Sequence, residues 1–286
     1  MMAMGDSLDL LEAEREAERV VNDHGFTALP VCPFAIAKKA DIDVQPKDSN
    51  EAGVSGFLMR IGSVFAILYA RHIANEGFIR FTVAHELGHY FLPGHPEAIF
   101  PNGNGLHRSR SGFISHDRYE RQADQFAAAL LMPEALFTKA VDKAGQGFAA
   151  IQSLAALCRT SITATAIRFA NYTDDALAVI VSSGNRVEYC FLSQRLKDLK
   201  GLQWLRKGDL IAPRSTTAEF NKHPANVSDA KQAEGCCCLD DWFDGAPQIE
   251  MNEDVVGLGN YGKTLTVLFT DEDLEDEDDY DDEDDD

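Results

Sequence analysis

Residues 85 to 89 read His-Glu-Leu-Gly-His, and this pentapeptide restricts the fold more than any other stretch of the chain. Val83, Leu87 and Tyr90 keep helical spacing around it, and Pro93-Gly94 imposes a hard stop, so the spacing predicts a helix over Phe78 to Leu92. Residues four apart on a helix stack on one face, which lets His85 and His89 aim both imidazoles at one point. Zinc takes nitrogen ligands at about 2.0 to 2.1 Å in a tetrahedron, and a catalytic site leaves one position for water. A third protein ligand must therefore come from another element. Glu86 lies about 100° round the helix from its neighbour and suits a general base acting on bound water.

A second helix follows from His116 or Asp117, the better cap, to about Met132, and Pro133 begins a third. On it Glu120 and Asp124 are again four apart, while Ala123, Phe126, Ala127 and Leu130 are available for a core. One carboxylate can bind the ion while the other braces a histidine ligand, since a metal-bound imidazole commonly donates its second N–H to a carboxylate. Spacing alone equally allows a solvated face, because Arg118, Arg121 and Gln122 surround Glu120 with polar groups.

The block Phe81-Thr82-Val83-Ala84-His85-Glu86-Leu87-Gly88-His89-Tyr90, followed by Glu120-Arg121-Gln122-Ala123-Asp124-Gln125-Phe126-Ala127-Ala128-Ala129-Leu130-Leu131-Met132-Pro133, resembles the ImmA/IrrE family of metallo-endopeptidases. The likeness extends from the first helix to about Tyr172. It implies a small zincin-like peptidase core, with a short sheet over two active-site helices. It also implies Glu120 as third zinc ligand, Asp124 as supporting carboxylate, and a helix-turn-helix transcriptional repressor as substrate, cut to derepress stress or mobile-element genes. Manganese or iron suits the same nitrogen and oxygen ligands.

Residues 149–172 resemble the helix-turn-helix-like segment that follows this core in some relatives, except that Arg159-Thr160 stands where a glycine is usual. With only Arg159 and Arg168 as bases there, the composition speaks against direct DNA binding and for packing or partner docking. The oxyanion stabiliser stays unassigned among His95, His107, His116, Arg118 and Tyr119.

Elsewhere the pattern predicts a helix over Ser7 to His24, a short helix from Pro33 to Ala40, and a hairpin from Val54–Ile61 and Val64–Tyr69. Pro101 to Ser115 reads as a loop, because proline, asparagine, glycine and serine dominate it. Ala176 to Ser182 and Arg186 to Leu192 make a second hairpin, and Thr264 to Thr270 a late strand. The expected class is α+β: a peptidase core over 1–145, the helical segment over 146–174, an α/β or β module over 175–270, and a disordered acidic tail over 271–286. Fourteen of those last sixteen residues are acidic and supply two thirds of the net charge of -21, which opposes non-specific nucleic-acid binding.

Six irregularly spaced cysteines with no C-x-x-C pair suit a reduced, cytoplasmic chain. On a strand, Cys236 and Cys238 would share one face. The acidic start lacks the pattern of a secretion signal, and no apolar run is long enough to span a bilayer. Beside the peptidase stand two other readings. One is a non-cleaving regulatory protein that binds a repressor over a structural or idle metal site. The other is a sensor working through Cys236 to Cys238.

Overall fold

A computed structural model describes residues 4–48, 53–71, 75–110 and 117–270, so the expected acidic tail, His116 and residues 111–115 lie outside the described part. The chain divides into two compact units, one drawn from Met1–Ala144 and Ile151–Arg168, the other from Gly145–Ala150 and Phe169–Asp286. The class is α+β, as the patterning predicts.

The first unit begins with α1 (Met4–Asp23), α2 (Pro33–Lys39), β1 (Asp43–Lys47), β2 (Val54–Ile61), β3 (Val64–Ala70) and α3 (Glu76–Phe91). It continues through α4 (His95–Ile99), β4 (Gly105–Arg110), α5 (Arg118–Leu131) and α6 (Glu134–Ala144), with α7 (Gly147–Cys158) and α8 (Ile162–Tyr172) next along the chain. Its sheet has the order β1-β3-β2-β4. β1 runs parallel to β3, whereas β2 is antiparallel to both β3 and β4.

Local chemistry sets the helix boundaries. Asn75 caps α3 by accepting a hydrogen bond from Phe78 N at 3.0 Å, and Asp117 caps α5 by accepting one from Tyr119 N at 2.8 Å. Of the apolar stripe Leu10, Ala13, Ala17, Val20 and Val21 on α1, the last four are buried and Leu10 is half-buried. Helices α3 and α5 approach closely at Gly88, where an added Cβ would lie 3.1 Å from Ala123 Cα and 3.2 Å from Phe126 Cδ1.

The reading of 101–115 as a loop is corrected over Gly105–Arg110, which is strand β4 paired with β2. Its turn-rich composition hides it. The strand state comes from the ladder that β2 offers rather than from propensity, and cross-strand partners routinely override the weak β scale.

At the turn between α7 and α8, Arg159 adopts the left-handed backbone (φ 56°) that glycine usually supplies. Tertiary contacts hold it there. Arg159 O accepts a hydrogen bond from buried Arg80 Nε at 3.1 Å, and its guanidinium pairs with Glu76. Ser161 caps α8, with Oγ accepting from Ala164 N at 3.2 Å.

The second unit contains β5 (Ala176–Ser183), β6 (Arg186–Leu192), α9 (Gln194–Lys197), α10 (Thr216–Asn221), α11 (Pro224–Ser228), β7 (Gln232–Cys238), α12 (Leu239–Trp242), β8 (Glu250–Gly257) and β9 (Thr264–Thr270). All pairings in its sheet, ordered β6-β5-β9-β8-β7, are antiparallel. One core gathers Ala178, Ile180, Trp242, Phe243, Met251 and Leu268. Buried Glu253 is satisfied by donors from Thr216 N, Thr217 N and Thr217 Oγ1 at 2.7 to 3.0 Å. Among the described residues, no helix is long and apolar enough to cross a membrane.

Phe126 is fully buried beside the α3–α5 contact and stacks on Phe91 at 6.3 Å between ring centroids. Phe126→Ala is expected to lower unfolding stability by about 3 to 5 kcal/mol, read as a fall in the urea midpoint at unchanged slope.

Candidate metal centre

Helix α3 directs His85 and His89 inward from successive turns, and α5 brings Glu120 against them. The imidazole nitrogens His85 Nε2 and His89 Nε2 are 3.1 Å apart. Glu120 Oε2 lies 3.4 Å from His85 Nε2, and Glu120 Oε1 lies 3.3 Å from His89 Nε2. A zinc tetrahedron with bonds of 2.0 to 2.1 Å has edges of about 3.3 Å, so each separation is of the size that ligands of one ion show, with the two oxygens of Glu120 each facing one imidazole. His85, His89 and Glu120 form the group able to hold a metal ion among the described residues.

The neighbours of the two histidines leave both Nε2 lone pairs facing inward. Asp124 Oδ1 accepts the His85 Nδ1 proton at 2.8 Å. His95 Nε2 donates to Gln122 Oε1 at 3.2 Å, which makes His95 Nδ1 the acceptor for the His89 Nδ1 proton at 3.1 Å. Two imidazole lone pairs converging on a carboxylate repel one another unless a cation lies between them.

The proton affinities record the same concentration of donors. Burial opposes the charge on His85, but Asp124 and Glu120 outweigh it and raise its pKa to about 10. Burial drives His89 down to about 3. For Glu120, burial acts upward, yet the hydrogen bond from His107 and the closeness of His85 and His89 hold it well below the ordinary carboxylate range. A divalent cation competes for the same lone pairs and would replace the proton that His85 otherwise carries.

Glu86 sits beside this group, fully buried, and among the described residues neither carboxylate oxygen is met in good hydrogen-bond geometry, with the Ser109 hydroxyl as its nearest candidate donor. Burial raises its pKa to about 7 against the opposing pull of His85, Ser109 and His107. Strand β2 supplies the wall around it. A Cβ added at Gly56 would lie 2.4 Å from Glu86 Oε1 and 2.6 Å from Thr82 Cγ2, so only glycine leaves room for the carboxylate.

All five residues singled out for the site, His85, Glu86, His89, Glu120 and Asp124, come together. Of the oxyanion candidates, His107 reaches from β4, its Nε2 donating to Glu120 Oε1 at 3.0 Å, with its ring 4.6 Å from that of His89. His95 is engaged between His89 and Gln122, and Tyr119 packs edge-on against it at 5.0 Å. Arg118 pairs with Asp9 at 2.8 Å on an exposed face. Sequence reasoning missed Gly56, Ser109 and Gln122. A glycine inside a predicted strand is itself a signal of close approach, and Gly56 carried it.

The model of the IrrE N-terminal-like domain, Peptidase M78, matches residues 37–169. A solved structure of a Mycobacterium tuberculosis transcriptional regulator is similar in fold, with a TM-score of 0.55 at 12% identity, covering 90% of this chain and 76% of that one. No curated protein sequence matches.

The braces on the two histidines generate a test. Asp124→Ala and His95→Leu are each expected to weaken zinc affinity roughly 10 to 100-fold, measured by competition with a chelator. Affinity unchanged in both variants would remove the bracing role.

Proposed function

From the premise that residues 37–169 form an IrrE N-terminal-like domain of the Peptidase M78 family, we propose that this chain is a zinc-dependent endopeptidase that cuts a helix-turn-helix transcriptional repressor. The observation that carries the reading is buried Glu86 beside the His85, His89 and Glu120 face. A structural metal site has no use for an unpaired buried carboxylate at that position.

Zinc held by His85, His89 and Glu120 would supply Lewis acidity to the scissile carbonyl and to the attacking water. Glu86 accepts the proton of the attacking water and afterwards delivers it to the leaving amine. A base with a pKa of about 7 is matched to that exchange near neutral pH. Asp124 and the His95–Gln122 pair keep His85 and His89 in the tautomer that presents Nε2. His107 faces the ligand set from β4 with its Nε2 donating to Glu120 Oε1, which orients that carboxylate, and the donor to the carbonyl oxygen stays unassigned.

The family resemblance supports a repressor as substrate. The chain's own residues support recognition of protein rather than DNA: in the helix pair, Arg168 is buried, pairs with Glu14 and donates to Met132 O at 3.1 Å, and Arg159 pairs with Glu76. Neither is presented as a phosphate clamp.

Incubation of the purified chain with helix-turn-helix repressors from the same genome, with added zinc or manganese, tests the proposal by mass spectrometry of the products. One metal-dependent cut is expected. Binding without a cut under either metal would favour the non-cleaving regulator. Glu86→Gln is expected to lower the cleavage rate roughly 100 to 10,000-fold with zinc affinity retained, and a variant cutting at the wild-type rate would remove the base. Gly56→Ala, which forces a Cβ onto the Glu86 carboxylate, is expected to cost about 100-fold in rate while zinc still binds.

A further inference from the structure

Within the second unit, residues 194–214 reverse the charge of the chain. They carry Arg195, Lys197, Lys200, Arg206, Lys207 and Arg214 against Asp198 and Asp209, in a protein of net charge -21. Leu196 is buried in the unit's core, and Leu199, Leu202 and Leu205 pack against it. An apolar residue at every third position turns inward, so the intervening residues form an outer face. Lys200, Arg206, Lys207 and Arg214 are exposed there. Trp204 is half-exposed with Lys197 Nζ 6.0 Å from its ring, and Leu210 is exposed as well. The acids on this face are engaged locally. Gln194 donates to Asp198 Oδ1 at 2.7 Å, Arg206 N donates to Asp209 Oδ2 at 2.6 Å, and Glu188 pairs with Lys207 at 3.1 Å.

The sheet register places the start of the acidic stretch beside this face. Residues 271–286, with fourteen acids and no base, follow directly on β9. Strands β6 and β9 flank β5 and both run antiparallel to it, so they end on the same side of the sheet. Ser193, the residue before α9, donates its N–H to Leu177 O at 2.8 Å, and Leu177 stands opposite Phe269. Two strand spacings, about 10 Å, therefore separate the end of β9 from the start of the basic segment.

Reach is sufficient. The basic segment returns along β6 as far as Val187, whose N–H donates to Asp209 O at 2.9 Å and whose carbonyl accepts from Gly208 N at 2.8 Å. A seven-residue strand such as β6 is about 23 Å long. Sixteen extended residues span roughly 50 Å.

Tethering selects the occupant. One surface ion pair contributes little and is screened by salt, but a partner on so short a tether stands at an effective concentration of about millimolar, and many weak pairs act together. A separate polyanion competes against that concentration and against the net charge of the chain. We propose that residues 271–286 dock in cis on the basic face of residues 195–214 and occupy it in place of a separate polyanion.

Zero-length carbodiimide coupling of the full-length chain joins a carboxylate to an amine in contact with it, and peptide mass spectrometry reads the links. At low salt, links from 271–286 to Lys197, Lys200 and Lys207 are expected within monomers, about tenfold above those to exposed Lys222 and Lys231. They are expected to fall about tenfold in 1 M salt, where the Debye length is about 3 Å. The double variant Arg206→Glu/Lys207→Glu, at two exposed positions, is expected to lose most of the links to Lys197 and Lys200 with an unchanged circular dichroism spectrum. Equimolar single-stranded DNA is expected to leave the wild-type links in place. Links that are missing or spread evenly over the lysines, links confined to cross-linked dimers, or links abolished by equimolar DNA would each overturn docking in cis.

Discussion

The close contact of α3 with α5 governs the site. Gly88 stands between the two histidines on α3, and its missing side chain lets the backbone at Ala123 and the ring of Phe126 approach to just over 3 Å of where a Cβ would be. That contact sets how far Glu120 sits from both imidazoles, because all three ligands ride on these two helices. An alanine at 88 would have to push the helices apart by a few tenths of an ångström. Separations of 3.1 to 3.4 Å between ligand atoms leave little room for that displacement.

The same packing buries Glu86 without a well-formed hydrogen bond among the described residues. An unsatisfied buried polar group costs on the order of 1 to 3 kcal/mol, and more if charged. The fold carries that cost beside the histidines, while Glu253 in the other unit, equally buried, is satisfied by three donors. The contrast supports the proposed base: Glu253 is wrapped in hydrogen bonds, whereas Glu86 is walled by Gly56 and left with an affinity near neutrality.

What the sequence made legible follows from the range of the interactions involved. The pairs His85–His89 and Glu120–Asp124 are local, four apart on helices whose caps and stops are written beside them, so both could be read from spacing. The hairpins β2–β3 and β5–β6 and the strand β9 carried continuous apolar runs and were read closely. β4 was not, because Gly105 and Ser109 give no strand signal and its pairing is with β2, some fifty residues away. β7 and β8 escaped because their composition hides them: an edge strand of glutamine, glycine and cysteines and a neighbour that opens on acids and asparagine have little apolar alternation to read. Gly56 against Glu86 and Gln122 behind His95 are contacts between elements: a glycine inside a strand signals that something comes close but not what, and nothing local announces Gln122.

Helix α5 also settles which nitrogen each histidine offers. It carries Glu120, the proposed third ligand, Asp124, which accepts from His85, and Gln122, which orients His95 and through it His89. Ligand position and ligand tautomer are thus fixed by one rigid element docked at one place. A shift of α5 would not detune the centre by degrees. It would remove the carboxylate ligand and release both Nδ1 protons together, which couples the integrity of the site to the same core contact that stabilises the unit.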